Sequence, residues 1–346
     1  MTSASDHAAG TPRATDGRSR DVGRLVAAAR DGDVRALARL VSLVEDGDER
    51  VPEIAAALAP YVGGAQVVGL TGAPGVGKST LTGALVRAYR AQGRRVAVLA
   101  VDPSSPFTGG AILGDRIRMQ EHATDPGVFI RSMSSRGSLG GLAAATPQAV
   151  RVLDAVGYEI VLVETVGVGQ AEVDIAALAD TTLVLLAPGL GDAIQAVKAG
   201  ILEIADVFVV NKADREGADA TVRDLRGMLD LGERISRSAD RPAGADDGGS
   251  WRVPVLKTIA ERGEGVDEVV AAIARHHEFL IARGELTVRR QRRAAAEIEH
   301  LALDLMRARL AAIPSGPRLA ELAAEVAAGR IDPYTAAATL VAALSR

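Results

Sequence analysis

The sequence contains no cysteine. Disulfides, thiolate metal sites and a cysteine nucleophile are therefore excluded, and a reducing compartment suits the chain. Aromatic residues make up only 3%, with a single tryptophan, which leaves little material for the stacking platforms that hold single-stranded nucleic acid. The net charge is −4, so no basic field attracts a phosphate backbone. No apolar run reaches the ~20 residues that a membrane-spanning helix needs. Residues 1–20 are polar and lack the hydrophobic centre of a secretion signal; they read as a disordered tail. Together these absences predict a cytoplasmic protein whose partners include neither nucleic acid nor membrane.

What remains is an ordinary core-forming composition. Of 346 residues, 48% are hydrophobic and 24% charged, enough for two domains or for one large α/β core with helical additions. Residues 21–62 read as helical. Leu37, Leu40, Val41 and Val44 share one face at i, i+3, i+4 and i+7. Asp31-Gly32 breaks this segment, and Val51-Pro52 opens a further helix. Residues 63–284 then alternate short apolar runs with helical stretches. Runs at 67–70, 96–101, 160–163, 183–186, 207–210 and 253–256 predict a mostly parallel sheet with helices on both faces. Ligands of such sheets sit beyond the carboxyl ends of the strands. Residues 236–250, rich in Gly, Asp and Ala, read as a flexible insertion. Residues 285–346 are helical again, with Ile298, Leu301, Leu305 and Met306 in one stripe. Pro314-Ser315-Gly316 interrupts them, and Asp332-Pro333 starts the last helix.

The chemistry concentrates in Gly72-Ala73-Pro74-Gly75-Val76-Gly77-Lys78-Ser79-Thr80, which matches GxxxxGK[ST] without a mismatch. An apolar strand precedes it and a helix follows. Glycines permit the tight backbone path that turns N–H groups toward phosphate oxygens, and the helix N-terminus adds a positive dipole end. Lys78 is expected at the β- and γ-phosphates and Ser79 on Mg²⁺. Asn211-Lys212-Ala213-Asp214 follows the strand at 207–210 and matches NKxD. A carboxylate at Asp214 accepts hydrogen bonds from N1 and N2 of guanine, a pair that adenine does not offer. Asn211 and Lys212 would brace the base pocket. The implied cofactors are GTP or GDP with Mg²⁺.

Glu164-Thr165-Val166-Gly167 ends another strand. Many P-loop GTPases carry DxxG there, with the acid near Mg²⁺ and the glycine N–H on the γ-phosphate; here Glu164 and Gly167 hold those positions. The next residue is Val168, where Ras-like proteins carry a water-orienting glutamine. Gln170 could substitute only if the loop folds back. Asp102, at the end of the strand at 96–101, and Asp115 are further candidates for the metal shell, with Asp102 also a candidate for handling the attacking water. Either could instead cap a helix or turn. The catalytic set is thus Lys78, Asp102 and Glu164, and the metal set Ser79, Asp102, Asp115 and Glu164. Residues 137–141 form a loop that could switch with the γ-phosphate or be a plain turn. His276 and His277 read as helix residues without a metal role, Trp251 as packing, and the basic run at 289–293 as a solvated helix face.

These residues together resemble the GTPase chaperones of cobalamin-dependent acyl-CoA mutases, the MeaB/ArgK-like family that includes the human methylmalonic aciduria type A protein. The likeness runs from about residue 33 to the C-terminus. Its specific pieces are the P-loop with Thr71, Val101-Asp102-Pro103-Ser104-Ser105-Pro106, Gly109-Gly110-Ala111-Ile112-Leu113-Gly114-Asp115, Leu139-Gly140-Gly141 and Val163-Glu164-Thr165-Val166-Gly167-Val168-Gly169-Gln170. The resemblance implies a P-loop NTPase core, a homodimer joined by a C-terminal helical arm, and a partner mutase carrying adenosylcobalamin. GTP binding and hydrolysis would gate cofactor loading and protect that mutase, methylmalonyl-CoA mutase being the first candidate. The family's base contacts carry over to Asn211, Lys212 and Asp214 and to the loop Thr258-Ile259-Ala260, whose N–H groups would face the base. Ile259 stands where a serine is frequent. Alternatives are a binding switch with incidental hydrolysis, a metallochaperone-type GTPase and a protein kinase. Missing cysteine and only five histidines weigh against the metallochaperone.

Overall fold

The computed structural model describes residues 14–102, 122, 124–134, 145–165, 171–189, 201–239, 249–312 and 315–342. The chain forms two compact units, Met1–Leu286 and Thr287–Arg346. Three helices open the first: α1 (Ala14–Arg30), α2 (Val34–Glu45) and α3 (Val51–Leu58). Helix α1 begins inside the stretch expected to be a disordered tail, which corrects that expectation for residues 14–20. Val22, Val26 and Ala29 recur at helical spacing and are buried, so the helix has an apolar face to dock and extends N-terminally from it. Residues 1–13 of the expected tail lie outside the described residues. Asp33 caps α2, accepting from the N–H groups of Arg35 at 2.8 Å and Ala36 at 3.2 Å. Such a cap contributes about 1 kcal/mol.

The core is a seven-stranded sheet in the order β3-β2-β4-β1-β5-β6-β7. Its strands are β1 (Gln66–Thr71), β2 (Val96–Asp102), β3 (Val128–Ser134), β4 (Ile160–Thr165), β5 (Thr181–Leu186), β6 (Val207–Val210) and β7 (Val255–Lys257). Every pairing is parallel. The intervening helices are α4 (Lys78–Ala91), α5 (Thr146–Ala155), α6 (Ala171–Leu178), α7 (Ile201–Ile204), α8 (Ala218–Ala239) and α9 (Val266–Ala282). Strand side chains alternate between faces, and the burial follows. Val67, Leu99, Val161 and Val163 enter one core with α1, α2, α3, α5 and α6. Val68, Leu70, Val98, Leu162, Leu185 and Val209 enter another with α4 and α9. Val184, Leu186, Phe208 and Val210 meet α8 in a third. The N-terminal helices are therefore a cover for one sheet face.

Strand β3 has no counterpart among the six apolar runs. It is an edge strand, so only alternate positions, Phe129 and Met133, are fully buried, and Arg131 interrupts the run. Arg131 instead donates to Ser42 and Glu45 of α2, at 3.2 and 2.6 Å. Helix α8 also differs from expectation. It continues to Ala239, so residues 236–239 of the expected flexible insertion are helical, while 240–248 lie outside the described residues. Both helix and strand edges follow from packing that sequence periodicity does not display.

Carboxylates organise the amino-terminal edge of the sheet. Asp154 accepts from the N–H groups of Gly63, Gly64 and Ala65 just ahead of β1. Asp180 accepts from Val67 N and Asp206 from Thr182 N, at 3.1 and 2.8 Å. Buried His276 sits in the same region, with Nδ1 2.9 Å from Thr181 Oγ1 and Nε2 3.2 Å from Asp206. The Trp251 ring packs on it at 4.7 Å, and its Nε1 donates to Asp206 O. Both residues thus join the packing and hydrogen bonding of this edge.

The second unit carries most of α10 (Glu285–Ala312), then α11 (Ser315–Ala327) and α12 (Pro333–Ala342). Asp332 caps α12 through the N–H groups of Tyr334 and Thr335. The stripe of α10 is exposed, with Ile298 at 67% and Leu305 at 66%.

Arg90 of α4 secures the turn into β3. Its Nε and Nη2 donate to Asp125 at 2.8 and 2.9 Å, and Asp125 also accepts from Gly127 N. The Arg90 hydrogen bond, followed by that of Gly127, holds the Asp125 carboxyl below its ordinary value. A group shifted down stabilises the fold above its unfolded value and loses that contribution as pH falls through its folded one. Urea unfolding of D125N should therefore show a stability deficit at neutral pH that closes as pH drops below about 4. A deficit independent of pH would assign the effect to packing instead.

Candidate nucleotide site

The P-loop leaves the carboxyl end of β1, the strand on whose two sides the order reverses, toward β4 and β5. That reversal opens a crevice. Gly72 has φ 140°, and a Cβ there would lie 2.3 Å from Leu185 O. Gly77 has φ 97°, and its Cβ would lie 2.4 Å from Asn211 Nδ2. Both positions demand glycine on conformation and on space. Gly77 is also the N-cap of α4 and provides no side-chain cap, so the first-turn N–H groups are of the kind that anions satisfy. Between the glycines, Val76 anchors the loop in the core beneath it, while Pro74 and Gly75 are exposed.

Lys78 is buried, and its ammonium donates to Gly72 O at 2.7 Å and Ala73 O at 3.2 Å. It thus lies along the inside of the loop. Ser79 follows on the first turn of α4, and its hydroxyl donates to Glu164 Oε1 at 2.6 Å. Glu164 stands near the end of β4, in register with Leu70 of β1. The register alone puts this carboxylate beside the P-loop. It is 5% exposed, and its Oε2 accepts from Thr82 Oγ1 at 2.9 Å. The next residue, Thr165, has its hydroxyl 3.2 Å from that of Thr71, which joins the ends of β4 and β1. Asp102 is the last residue of β2, at the same edge of the sheet, but its side chain lies outside what is described. Asp115, Gly167, Val168, Gln170 and residues 137–141 lie wholly outside it.

The NKxD loop follows β6, the second strand from β1. Asn211 Nδ2 donates to Val76 O at 2.9 Å, and Lys212 Nζ to Gly75 O at 2.6 Å. Lys212 has φ 56°, the left-handed value found at no other non-glycine residue among those described. That strain is of the sort a fold keeps at a working site. Asn211 Oδ1 accepts from Thr258 Oγ1 and Ala260 N, both at 3.1 Å. The Asp214 carboxylate is 41% exposed, with an Arg262 guanidinium nitrogen 3.9 Å away.

The N–H groups of Thr258, Ile259 and Ala260, expected at the base, donate within the protein to Val210 O, Glu264 O and Asn211 Oδ1 respectively. The parallel pairing with β6 and a short bridge from Ile259 to Glu264 claim the first two. This loop frames Asn211. Sequence reading also passed over Thr82. Its position three residues after Ser79, on the same helix face, was the available signal.

The donors at Ser79 and Glu164 are hard oxygens. They fit Mg²⁺, which takes one or two protein ligands and completes its octahedron with phosphate and water oxygens. A parallel sheet with this loop on its central strand, a buried acid on the adjacent strand and NKxD two strands away defines a P-loop nucleoside triphosphatase of the guanine-reading kind. The chain belongs to the family described as methylmalonyl Co-A mutase-associated GTPase MeaB, whose model matches residues 37–315. It is 48% identical to a Pyrococcus abyssi protein over 84% of this chain and 86% of that one. It is 38% identical to the GTPase ArgK of Escherichia coli over 70% of each chain. The crystal structure of an LAO/AO transport system kinase superposes with a TM-score of 0.66 at 27% identity, covering 94% of this chain and 98% of that one.

Gly77→Ala tests the loop geometry. A left-handed φ costs a residue with a Cβ about 1–2 kcal/mol, and the contact with Asn211 adds to it. Titration with a fluorescent GDP analogue should show at least about tenfold weaker binding, by the usual 1.4 kcal/mol per decade.

Proposed function

We propose that this chain binds GTP with Mg²⁺, hydrolyses it slowly alone and faster against a partner, and thereby gates adenosylcobalamin loading into a cobalamin-dependent acyl-CoA mutase. The partner of first choice is methylmalonyl-CoA mutase, which the family's own description names. The observation that carries the catalytic part is the Ser79–Glu164 contact of 2.6 Å beside the P-loop. It joins a hydroxyl and a carboxylate where the terminal phosphates of a nucleotide held by the P-loop would lie. Ser79 and Glu164, with Asp102 or Asp115, would hold the metal, which when bound neutralises charge on the β- and γ-phosphates. Lys78 supplies a further positive charge to the same oxygens. The P-loop N–H groups orient the phosphates and Gly167 N the γ-phosphate. Hydrolysis then transfers the γ-phosphoryl group to water, GDP leaving as the bond to the bridging oxygen breaks.

Val168 has no polar atom with which to orient that water. Positioning supplies most of the rate in phosphoryl transfer. A site lacking one positioning group is a slow one, which suits a timer that a partner completes. The exposed stripe of α10, with Met306 also half exposed at 50%, supports the homodimer, since α10 leaves that much apolar surface in water within its own chain. No helix among the described residues is long and apolar enough to cross a membrane. A cytoplasmic location fits that observation and the absence of cysteine.

Two measurements test this reading. Phosphate release should be slow alone and rise at least about tenfold with the cognate mutase, since completing a partial site is worth more than one decade. Fast hydrolysis without a partner would count against it. Calorimetry should favour GTP over ATP by about a thousandfold or more, because a site built to pair with a polar edge leaves its carboxylate unpaired against the wrong base. D214N replaces an acceptor with a carboxamide that also donates, so its preference should move from GTP toward XTP, whose base carries a carbonyl at C2. Unchanged selectivity would remove Asp214 from the base pocket.

A further inference from the structure

We infer that Thr82 is a positioning residue that fixes the orientation of the Glu164 carboxylate at the metal side of the site. The inference rests on the reading of Glu164 as a metal-side acid. Glu164 has two carboxylate oxygens, and α4 addresses each with a different hydroxyl. Ser79 donates to Oε1 at 2.6 Å and Thr82 to Oε2 at 2.9 Å. Residues three apart on a helix lie on one face, so a single face of α4 grips the carboxylate at both ends. Two hydrogen bonds to two oxygens remove the rotation about the last side-chain torsion that one bond would leave free. That torsion is otherwise broad and soft.

The environment strengthens the effect. Thr82 is 0% exposed and Glu164 5%, so water does not compete for the hydroxyl. Thr82 Oγ1 also lies 3.0 Å from Lys78 O, but a hydroxyl has one proton. The carboxylate is the stronger acceptor and takes it, because a charged partner roughly doubles the strength of a hydrogen bond. Lys78 O lies close by as a second possible acceptor. The hydroxyl of Thr82 meets Glu164 through Oε2, the oxygen that Ser79 does not take. Its role is to hold the oxygen that faces Ser79 at a constant place, so that a divalent cation meets two donors already set. Misplacing a ligand costs affinity through reorganisation, as supporting groups around metal ligands do generally.

The test is the Mg²⁺ requirement of nucleotide binding, read by fluorescence of a labelled GDP analogue titrated with MgCl₂ and needing no turnover. T82V keeps the shape and deletes the donor. It should raise the half-saturating Mg²⁺ concentration about tenfold, the order expected for losing a hydrogen bond to a charged group, while nucleotide binding in EDTA changes little. T82S retains the hydroxyl and should restore the wild-type value. Circular dichroism melts confirm that each variant is folded, and T82S keeps the question open to an answer if T82V is not. E164Q separates the two layers. If E164Q raises the Mg²⁺ requirement and folded T82V does not, Thr82 has no positioning role. If E164Q itself leaves the requirement unchanged, Glu164 is not a metal-side acid and the reading beneath the inference fails. If T82S behaves like wild type and T82V like a weakened E164Q, the inference stands.

Discussion

The buried carboxamide of Asn211 ties together three loops that are far apart in the chain. Its nitrogen donates to Val76 O in the P-loop, and its oxygen accepts from Thr258 and Ala260. With 2% exposure, it has no water to fall back on. Each of its bonds is worth only about 1 kcal/mol net, but a buried partner left without its bond costs more than that. The phosphate end of the site and the base end therefore share one rigid connection. Lys212 doubles it by donating to Gly75 O from a left-handed backbone. Gly77 must be glycine partly because Asn211 Nδ2 occupies the space where a Cβ would go. Distance between phosphate and base is a property of the nucleotide, and on the proposed reading this connection would match the protein to it.

The sheet divides its polar groups by edge. At the amino end, Asp154, Asp180 and Asp206 receive strand-initial N–H groups that no neighbouring strand supplies. Their negative charge is absorbed by the backbone. At the carboxyl end the logic reverses. Ser79 and Thr82 donate to Glu164, and Lys78 to the carbonyls of Gly72 and Ala73, in a crevice created by the reversal of strand order around β1. A network of that sort can exchange partners when a phosphate or cation offers stronger ones. The amino edge is built for permanence and the carboxyl edge for exchange, although both use carboxylates near hydrogen-bond donors.

Much of this was readable from residues alone, and the exceptions have physical causes. Strands buried on both faces announce themselves as unbroken apolar runs, so β1, β2, β4, β5 and β6 were visible, and with them the fold. Edge strand β3 was not, because half of its positions meet helices or solvent and Arg131 serves α2. Glu164 was found because its strand ends in a loop of known chemistry, whereas Thr82 carries no motif and matters only through a register between β1 and β4. The loop at 258–260 was placed by resemblance alone, and no periodicity shows that its N–H groups pair with β6, Glu264 and Asn211. Hydrogen-bond accounting supplies what the motif does not, since each N–H has an acceptor within the protein.

The same accounting bears on how the base end discriminates. Asp214 is 41% exposed and Arg262 63%, and their nearest atoms are 3.9 Å apart. A surface pair of that geometry contributes little, typically under about 1 kcal/mol, so Arg262 presents a weak competitor to any incoming donor. A guanine edge would bring two directed donors to the carboxylate and shield it from water at once. Each bond then gains strength from the lower local dielectric. On the proposed reading, selectivity at Asp214 would arise on docking, from what the base itself excludes. Glu164 is the opposite case: it is already dry and already held by two hydroxyls. In the proposed function one carboxylate would acquire its specificity by being covered, whereas the other has its geometry before anything arrives.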